Sequence, residues 1–436
     1  MPYHKFLLSI KVFTIAFLKI LLTLIILILV YMGSILITNG YGQGKAAACI
    51  EVILTLIVLF VFWKRTWLKS KCSLGFLTFF VLLLCALTIY TVVPVASTVA
   101  RVTNTPFPGV PTNYWYLKTG SIIAYYKLPA SRKVVKKKFP IIFLHGGPGA
   151  YIRKLDINFF LKFTDEGYDV FLYDQAGSGR SALLPKLEYS HERNIMDFEN
   201  IIDKIGAAQY IVIGQSYGGS LLASLTARNN TSRRIYKAIF AEPGVTVLSG
   251  EQIVFSRFPN AGKDDAGIPL RLFIGILLNP RGDFTSQNEV INYFFEHKSL
   301  IPKLFKSAFP LRDSSRIPAV ELNALNFAMN GIVAPQVNDY NKNLAREYLK
   351  DKIPSMLLIG ESSYIARNAP MDLLKINPNI IRVQYFKNTG HLLWNGLDNN
   401  NNVVKKAIDE FLNGQYSTLP NYPTRNDIVQ FFKSKM

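Results

Sequence analysis

A serine flanked by glycines is the first candidate for chemistry in this sequence. It stands in the G-x-S-x-G stretch from Gly214 to Gly218, after a run of β-branched residues and before a helical pattern. A serine on a sharp strand-to-helix turn has a strained backbone and needs small neighbours to avoid clashes. The alternative is an ordinary tight turn that holds a small residue. The strand and helix around it favour the first interpretation, so Ser216 is predicted to be a nucleophile for acyl transfer.

A second glycine-rich turn, HGGPG from His145 to Gly149, ends an earlier apolar strand. Adjacent glycines let backbone N–H groups approach a substrate, and such donors stabilise the negative oxygen that develops during acyl transfer. We expect the N–H groups of Gly147 and Tyr217 to form this oxyanion hole. An ordinary strand-to-loop turn is the alternative. His145 itself is expected to shape the loop rather than to act as a base.

Strands and helices alternate along the part of the chain that carries these turns. An opening hairpin turns at Thr119-Gly120. The predicted strands that follow are FPIIFLHGG, YDVFLYDQ, YIVIGQS, AIFAEPG, PSMLLIG and IRVQYFKN, and the predicted helices are 152–164, 191–205, 221–227 and 403–412. Continuous apolar strands separated by helices predict an α/β fold, with a mostly parallel sheet covered on both faces.

Three segments of different composition organise the 436 residues. Residues 1–100 are strongly apolar, residues 101–112 form a proline-containing linker, and residues 113–436 have the composition of a globular domain. Within that domain, about 110 residues between Glu242 and Pro354 show no clear strand pattern. We expect an insertion of this length to form a helical lid, at about 245–350, over whatever lies at the strand ends.

The first hundred residues contain three apolar runs. They are Ile20–Thr38, Ala46–Trp63 and Cys72–Ala96, and Glu51 is the only charged residue within them. A helix needs roughly 20 apolar residues to cross a bilayer, so each run predicts a transmembrane helix. A cleaved signal peptide is the alternative for the first run. That run is long, however, lacks a clear small-residue cleavage site and is followed by two more apolar runs.

The charges between these runs predict an orientation. Lys64, Arg65, Lys69 and Lys71 lie between the second and third runs, whereas only Lys45 lies between the first and second. Basic loops stay in the cytoplasm. Everything after the third run, including the globular domain, is therefore expected on the extracytoplasmic side of an integral membrane protein.

The net charge of +20 raises the question of an anionic partner. The basic residues are scattered and no nucleic-acid motif accompanies them, so we expect no nucleic-acid partner. A tethered domain with surplus lysines is instead expected to lie against a lipid bilayer. The three cysteines lie in or beside the apolar runs, which leaves no thiol nucleophile in the globular domain. Metal-ligand spacings and nucleotide fingerprints are absent, so no cofactor is expected.

Four motifs in one order resemble the α/β-hydrolase superfamily, specifically its proline-iminopeptidase-like branch. That branch carries HGGPG, a DQ-x-G-x-G-x-S run, G-x-S-x-G and a late GH; the second is Asp174–Ser181 here and the last is Gly390-His391. The resemblance extends from about Asn113 to Gly414. It implies an α/β-hydrolase fold in which Ser216 is the nucleophile and His391 the general base. Of the five histidines, only His391 follows the last predicted strand.

The carboxylate that should orient the imidazole is missing from its usual place. The family usually has an aspartate three residues beyond the glycine after the penultimate strand, and counting from Gly360 gives Ser363. Some members carry the acid at the end of the preceding strand, where this chain has Glu242. Glu361 is a second candidate, which would need a different loop path. A serine–histidine dyad and an inactive site are the remaining alternatives.

The motifs leave the substrate open. Peptidases of this branch recognise a free amino end with lid glutamates near tryptophans, but no tryptophan lies between Glu242 and Pro354. The candidates are therefore an iminopeptidase-like aminopeptidase acting on a peptide or amide, and an esterase or lipase-like hydrolase acting near the bilayer on apolar acyl groups. A third is a non-catalytic, membrane-tethered binding module that kept the fold and lost the acid.

Overall fold

The structure is a computed structural model that describes two compact units. One unit comprises Met1–Ser97 and Ile268–Glu289, and the other comprises Thr98–Gly267 and Val290–Met436. The described residues are 25, 53, 79, 82, 83, 86, 107, 109–244, 272, 287–296, 326, 329, 332–337, 352–363, 368–394 and 400–433. The β-sheet and the candidate site belong to the second unit.

Two predicted features fall largely outside these residues. The three apolar runs of residues 1–100 are described only at isolated helical positions, and most of the predicted lid at about 245–350 is not described. Within the described part of the chain, no helix has the length and hydropathy that crossing a bilayer requires.

One eight-stranded sheet, with the order β1-β2-β4-β3-β5-β6-β7-β8, forms the centre of the second unit. β2 pairs antiparallel with β1 and with β4, and every other neighbouring pair is parallel. The predicted hairpin and the predicted mostly parallel sheet are thus confirmed. The strands are β1 Asn113–Tyr116, β2 Ile122–Leu128, β3 Ile141–Leu144, β4 Val170–Tyr173, β5 Tyr210–Gln215, β6 Ile235–Ala241, β7 Ser355–Ser362 and β8 Ile380–Gly390.

Helices occupy most of the connections between these strands. The described helices are α1 Lys154–Thr164, α2 His191–Ile205, α3 Tyr217–Thr226, α4 Asn229–Ser232, α5 Gln287–Glu296, α6 Asn368–Ile376, α7 Asn400–Leu412 and α8 Arg425–Lys433, with a 3-10 turn at Lys186–Glu188. α2 has the predicted bounds because Ser190 caps its first turn and Gly206 ends it in the left-handed region. α3 begins earlier than the predicted residue 221, directly after Ser216.

Two hydrophobic cores lie on opposite faces of the sheet. Ile142 and Val212 belong to one core, whereas Ile141 and Ile213, their neighbours along β3 and β5, belong to the other. Successive side chains of a strand point to opposite faces, so burial on both faces explains the continuous apolar runs. α2 and α3 contribute to the first core, and α1 and α7 contribute to the second.

The parallel strands end along one side of the sheet, which we call the carboxyl edge. The turns after β3, β4, β5, β6 and β8 carry the motifs singled out in the sequence, and all of them leave the sheet at this edge. Open α/β sheets bind their ligands outside the carboxyl ends of the strands. We call the opposite side, where β3, β4 and β6 begin, the amino edge.

Candidate active site

Ser216 lies on a strained turn between β5 and α3. Its φ of 57° and ψ of −120° are unusual for a residue with a side chain, and such strain costs about 1 to 3 kcal/mol. A Cβ at Gly214 would lie 2.3 Å from the carbonyl oxygen of Gly218, and a Cβ at Gly218 would lie 2.1 Å from that of Leu144. Both motif glycines are therefore sterically required, as in the turn that holds a nucleophilic serine.

The HGGPG turn lies directly beside Ser216. β3 and β5 are parallel neighbours, so the residues after the two strands meet. A Cβ at Gly146 would lie 2.9 Å from the Cβ of Ser216. Gly147 has a φ of 119°, which side chains rarely permit. The backbone of Gly147 and that of Tyr217, the two predicted oxyanion donors, are thus both close to the serine.

His391 follows β8 and reaches the same part of the carboxyl edge. The side-chain amide of Gln215 donates a hydrogen bond to the backbone oxygen of His391 at 3.2 Å. Because Gln215 immediately precedes Ser216, the candidate base lies next to the turn that carries the candidate nucleophile. His391 is only 2% exposed, so its imidazole is shielded from bulk water.

Glu242 is the buried carboxylate beside His391. Its Oε2 lies 3.8 Å from Nδ1 of the imidazole. Its Oε1 accepts a hydrogen bond from the backbone N–H of Gly360, which ties the end of β6 to β7. Glu242 has a φ of 49°, and apart from Ser216 it is the only non-glycine among the described residues with a positive φ. The strained backbone and the N–H contact hold the carboxylate toward Nδ1.

The position where the family usually carries its aspartate also contacts the imidazole. Ser363 Oγ lies 3.3 Å from Nδ1 of His391. Glu361, the other predicted acid, lies within β7 and is partly exposed. Two strand ends therefore converge on one ring nitrogen, with a carboxylate from β6 and a hydroxyl from the residue after β7.

His145 is tied to backbone groups through both ring nitrogens. Its Nε2 accepts a hydrogen bond from the N–H of Gln175 at 2.9 Å, and its Nδ1 lies 2.8 Å from the carbonyl oxygen of Gly146. The ring is therefore neutral, with its proton on Nδ1. Burial lowers the pKa of His145 to about 4. The side chain joins the HGGPG turn to the turn after β4, which agrees with the predicted loop-shaping role.

Side chains of α2 hold the tyrosine that follows the serine, an arrangement that the sequence did not reveal. Asn194 Nδ2 donates to the hydroxyl of Tyr217 at 2.7 Å, and Nδ1 of His191 lies 3.0 Å from the same oxygen. Burial raises the pKa of Tyr217, and it lowers the pKa of His191 to about 4. The backbone N–H of Tyr217 thus belongs to a residue whose side chain is fixed.

A hydrogen bond to the buried carboxylate of Asp156 connects the His391 turn to α1. Trp394 Nε1–H donates to Asp156 Oδ1 at 2.8 Å, and Arg153 forms an ion pair with the same oxygen at 2.6 Å. The Trp394 ring also stacks on Phe159, with 4.9 Å between the ring centroids. Sequence reasoning missed Asp156 and Arg153. The available signal was Trp394, three residues after His391, because a buried indole N–H requires an acceptor.

Asn326, a described residue within the predicted lid, contacts two turns of the site. The backbone N–H of Asn326 donates to the oxygen of Gly149 at 2.8 Å, and its side-chain amide donates to the oxygen of Gly177 at 2.8 Å. A Cβ at Gly149 would lie 2.2 Å from the oxygen of Asn326. Gly149, the last glycine of HGGPG, therefore permits this close approach, which the sequence did not indicate.

The arrangement combines the parts that acyl transfer needs. A hydroxyl, an imidazole and a carboxylate follow β5, β8 and β6 at the carboxyl edge, and the backbone of the HGGPG turn lies beside the serine. Such a set can move a proton and stabilise an oxyanion. Among the residues that the structure describes, no group of three or more His, Cys, Asp and Glu could hold a metal ion.

Relatives of this chain are proline iminopeptidases. The protein from Thermoplasma volcanium is 24% identical over 315 residues, which are 68% of this chain and 96% of the relative. The protein from Lactobacillus delbrueckii subsp. lactis is 33% identical over 88 residues, which are 19% of this chain and 29% of the relative. The first similarity spans almost the whole length of the relative, whereas the second covers a short segment.

Solved structures and a family model provide two further comparisons. An esterase from Exiguobacterium antarcticum has a TM-score of 0.48 at 15% identity, covering 69% of this chain and all of its own. The family model described as alpha/beta hydrolase fold matches residues 140–393, which is more than half of the 436 residues. The match includes the turns of Ser216, Glu242 and His391. The chain therefore belongs to the alpha/beta hydrolase fold family.

Proposed function

We propose that this protein is a serine hydrolase that cleaves an amide or ester bond by acyl transfer. One observation carries the proposal: Glu242 lies beside Nδ1 of His391, and the His391 backbone is bonded to the residue that precedes Ser216. This convergence supports an acid–base–nucleophile set with Glu242 as the acid, although Ser363 occupies the usual acid position. Membership of a hydrolase family supports the same conclusion.

The proposed reaction proceeds through an acyl-enzyme. His391 accepts the proton of the Ser216 hydroxyl as Oγ attacks the carbonyl carbon of the substrate, and the carbonyl π electrons move to oxygen. The N–H groups of Gly147 and Tyr217 stabilise this oxyanion. When the tetrahedral intermediate collapses, the bond to the leaving group breaks and His391 returns the proton to that group. Water then attacks the acyl-enzyme by the same proton transfers and releases the acid and the free serine.

Glu242 is proposed to orient His391 and to stabilise its protonated form. Its carboxylate lies on the Nδ1 side of the ring, which leaves Nε2 for the serine. An acid in this position favours the tautomer whose proton is on Nδ1, and it stabilises the imidazolium that forms during attack.

Two substrate classes fit this site. A peptide or amide substrate is supported by the proline iminopeptidases to which the chain is similar. An acyl ester is favoured by one sequence observation, the absence of tryptophan between Glu242 and Pro354, because peptidases of the resembling branch use lid tryptophans near their glutamates. Purified protein should therefore be assayed with amino-acid amides, proline-ended peptides and short acyl esters, and the best kcat/KM identifies the class.

Membrane anchoring is part of the proposal and rests on the sequence alone. The runs Ile20–Thr38, Ala46–Trp63 and Cys72–Ala96 have the composition of bilayer-spanning helices, and the basic residues between the last two orient the domain to the extracytoplasmic side. Alkaline carbonate extraction tests the anchoring, and protease digestion of intact cells tests the side. Extraction of the protein into the carbonate supernatant would refute the anchor.

A fluorophosphonate probe tests the nucleophile. This probe reacts with an activated serine, so the wild-type chain and Ser220→Ala should both be labelled, whereas Ser216→Ala should not. Ser220 is the matched control because it is a buried serine in α3, one turn beyond the site. If the folded wild type is not labelled while a control hydrolase in the same membranes is, the protein is a binding module rather than an enzyme.

A further inference from the structure

A basic loop with two exposed valines joins β2 to β3 at the amino edge. All residues from 132 to 138, RKVVKKK, are exposed to solvent. Val134 is 40% exposed and Val135 is 89% exposed. Five cationic side chains therefore surround an apolar tip, and we call residues 132–138 the basic loop.

The basic loop is held firmly by the turn between α1 and β4. Ser131 N–H donates to the oxygen of Thr164 at 2.9 Å, and Lys137 N–H donates to the oxygen of Gly167 at 2.8 Å. A Cβ at Gly167 would lie 2.3 Å from the oxygen of Val135. Because the backbone at the tip is fixed, the exposure of Val135 is a property of the fold and not of a loose segment.

The charges on the basic loop are only partly compensated. Lys136 forms an ion pair with Asp169 at 2.7 Å, and Lys137 lies over the ring of Tyr168. The remaining cations have no acidic partner in the described ion pairs. Lys138 lies over the ring of Phe139 in the same way. Four cations of the basic loop therefore remain to bind an external anion, and they are Arg132, Lys133, Lys137 and Lys138.

The exposed surface continues from the basic loop across the amino edge. The ring of Phe139, next to the loop, lies 4.4 Å from that of Tyr236, which is 40% exposed. Lys237 Nζ donates to the carbonyl oxygens at the end of α7. Beyond that end, Tyr416 is 98% exposed. Aromatic and apolar side chains thus alternate with cations along this edge.

We propose that this surface docks on the anionic face of a lipid bilayer, with the valine tip entering the headgroup boundary. Clustered lysine and arginine side chains are attracted to anionic headgroups, and an apolar tip gains free energy when it leaves water. Tyrosine is also enriched at the membrane–water interface. A nucleic acid would satisfy the cations, but it would leave Val134 and Val135 in water.

The docking surface lies at the opposite edge of the sheet from Ser216. The basic loop precedes β3, whereas the HGGPG turn follows β3. Docking through the amino edge therefore leaves the carboxyl edge open to substrate. The proposal does not depend on the activity of the site, since it uses none of the residues assigned to acyl transfer.

An environment-sensitive fluorophore at the loop tip tests the docking. The full chain is used with Cys49, Cys72 and Cys85 replaced by serine, and nitrobenzoxadiazole is attached to Val135→Cys. The protein is reconstituted in vesicles of phosphatidylcholine, with or without phosphatidylglycerol. We expect a blue shift only with phosphatidylglycerol, reversed in high salt because salt screens exposed charges. The matched control is Tyr116→Cys, which is 69% exposed and lies at the carboxyl edge; its emission should not change.

A second experiment removes positive charges from the basic loop to test their role in docking. Arg132→Gln, Lys133→Gln and Lys138→Gln together should lower the ratio of docked to undocked protein on the order of a hundredfold, since each cation near an anionic surface contributes about fivefold. Equal emission at position 135 in both vesicle types would overturn the proposal. So would a blue shift that appears in phosphatidylcholine vesicles only after RNA or polyglutamate is added, because the partner would then be a nucleic acid or an acidic protein.

Discussion

His145 and His391 follow parallel strands at the same edge of the sheet, and each is only 2% exposed. Their partners differ in kind. Both ring nitrogens of His145 contact backbone groups, whereas Nδ1 of His391 faces a carboxylate and a hydroxyl. Burial alone therefore does not identify a base. A ring whose Nε2 accepts a backbone N–H cannot take a proton from serine, while a ring with a carboxylate on Nδ1 can.

The largest expected effect is loss of the base. His391→Gln should lower kcat/KM on the order of 10⁶-fold, because the serine then lacks a proton acceptor. His145→Gln serves as the matched control, and it should retain fluorophosphonate labelling wherever the protein remains folded. If His145→Gln abolishes labelling in a folded protein and His391→Gln does not, the two histidines have been assigned the wrong way round.

Loss of the acid should have the next largest effect. Glu242→Gln is expected to lower kcat roughly 10⁴-fold with little change in KM, since the acid acts mainly on the protonated imidazole in the transition state. Circular dichroism checks the fold and steady-state kinetics give the rate. Glu361→Gln should change kcat less than about tenfold, because an acid that does not serve the base contributes nothing to this step. The opposite ranking would make Glu361 the acid.

His145, whose ring is bonded to backbone groups, should affect the pH dependence of the free energy of unfolding rather than the catalytic rate. Burial lowers the pKa of His145 to about 4. Its contribution to the free energy of unfolding is therefore complete above the ordinary pKa near 6.5, and it is lost as the pH falls toward 4. At pH 5 the loss is about 2 kcal/mol for this group. Urea unfolding at pH 7 and pH 5 measures it, and His145→Gln should show a smaller difference. If the free energy of unfolding changes by the same amount between pH 7 and pH 5 in His145→Gln and in the wild type, His145 is not buried as a neutral ring.

The smallest expected effect concerns the two side chains that face Nδ1 of His391, which are Glu242 and Ser363. Ser363 Oγ already lies 3.3 Å from Nδ1, so Ser363→Asp should supply a carboxylate to the same nitrogen. In the Glu242→Gln background, this change should raise kcat roughly tenfold or more. Ser363→Asn is the control of similar size without the charge. Equal rates for the two double variants would show that position 363 cannot act as the acid.

The strand-forming runs, the bounds of α2 and the glycine turns were predictable because local patterns determine them. The positions of Ser216, Gly147 and His391 at the carboxyl edge were also predictable, since each residue follows a recognisable strand. The contact between Glu242 and His391 could not be predicted from local patterns. It depends on β6 lying next to β7 and on the positive φ of the Glu242 backbone. The contacts of Asp156 and Asn326 were not predicted because their hydrogen-bond partners are distant in sequence.

The strained backbone of Ser216 lowers the stability of the fold, whereas the proposed activity needs its side chain. Glycine adopts a φ of 57° without the penalty of about 1 to 3 kcal/mol that a side chain incurs. Ser216→Gly should therefore unfold at a higher temperature than the natural chain while having no nucleophile. A screen that rewards heat resistance alone would select such inert variants, so any effort to engineer a hardier form of this protein needs a turnover assay in every round.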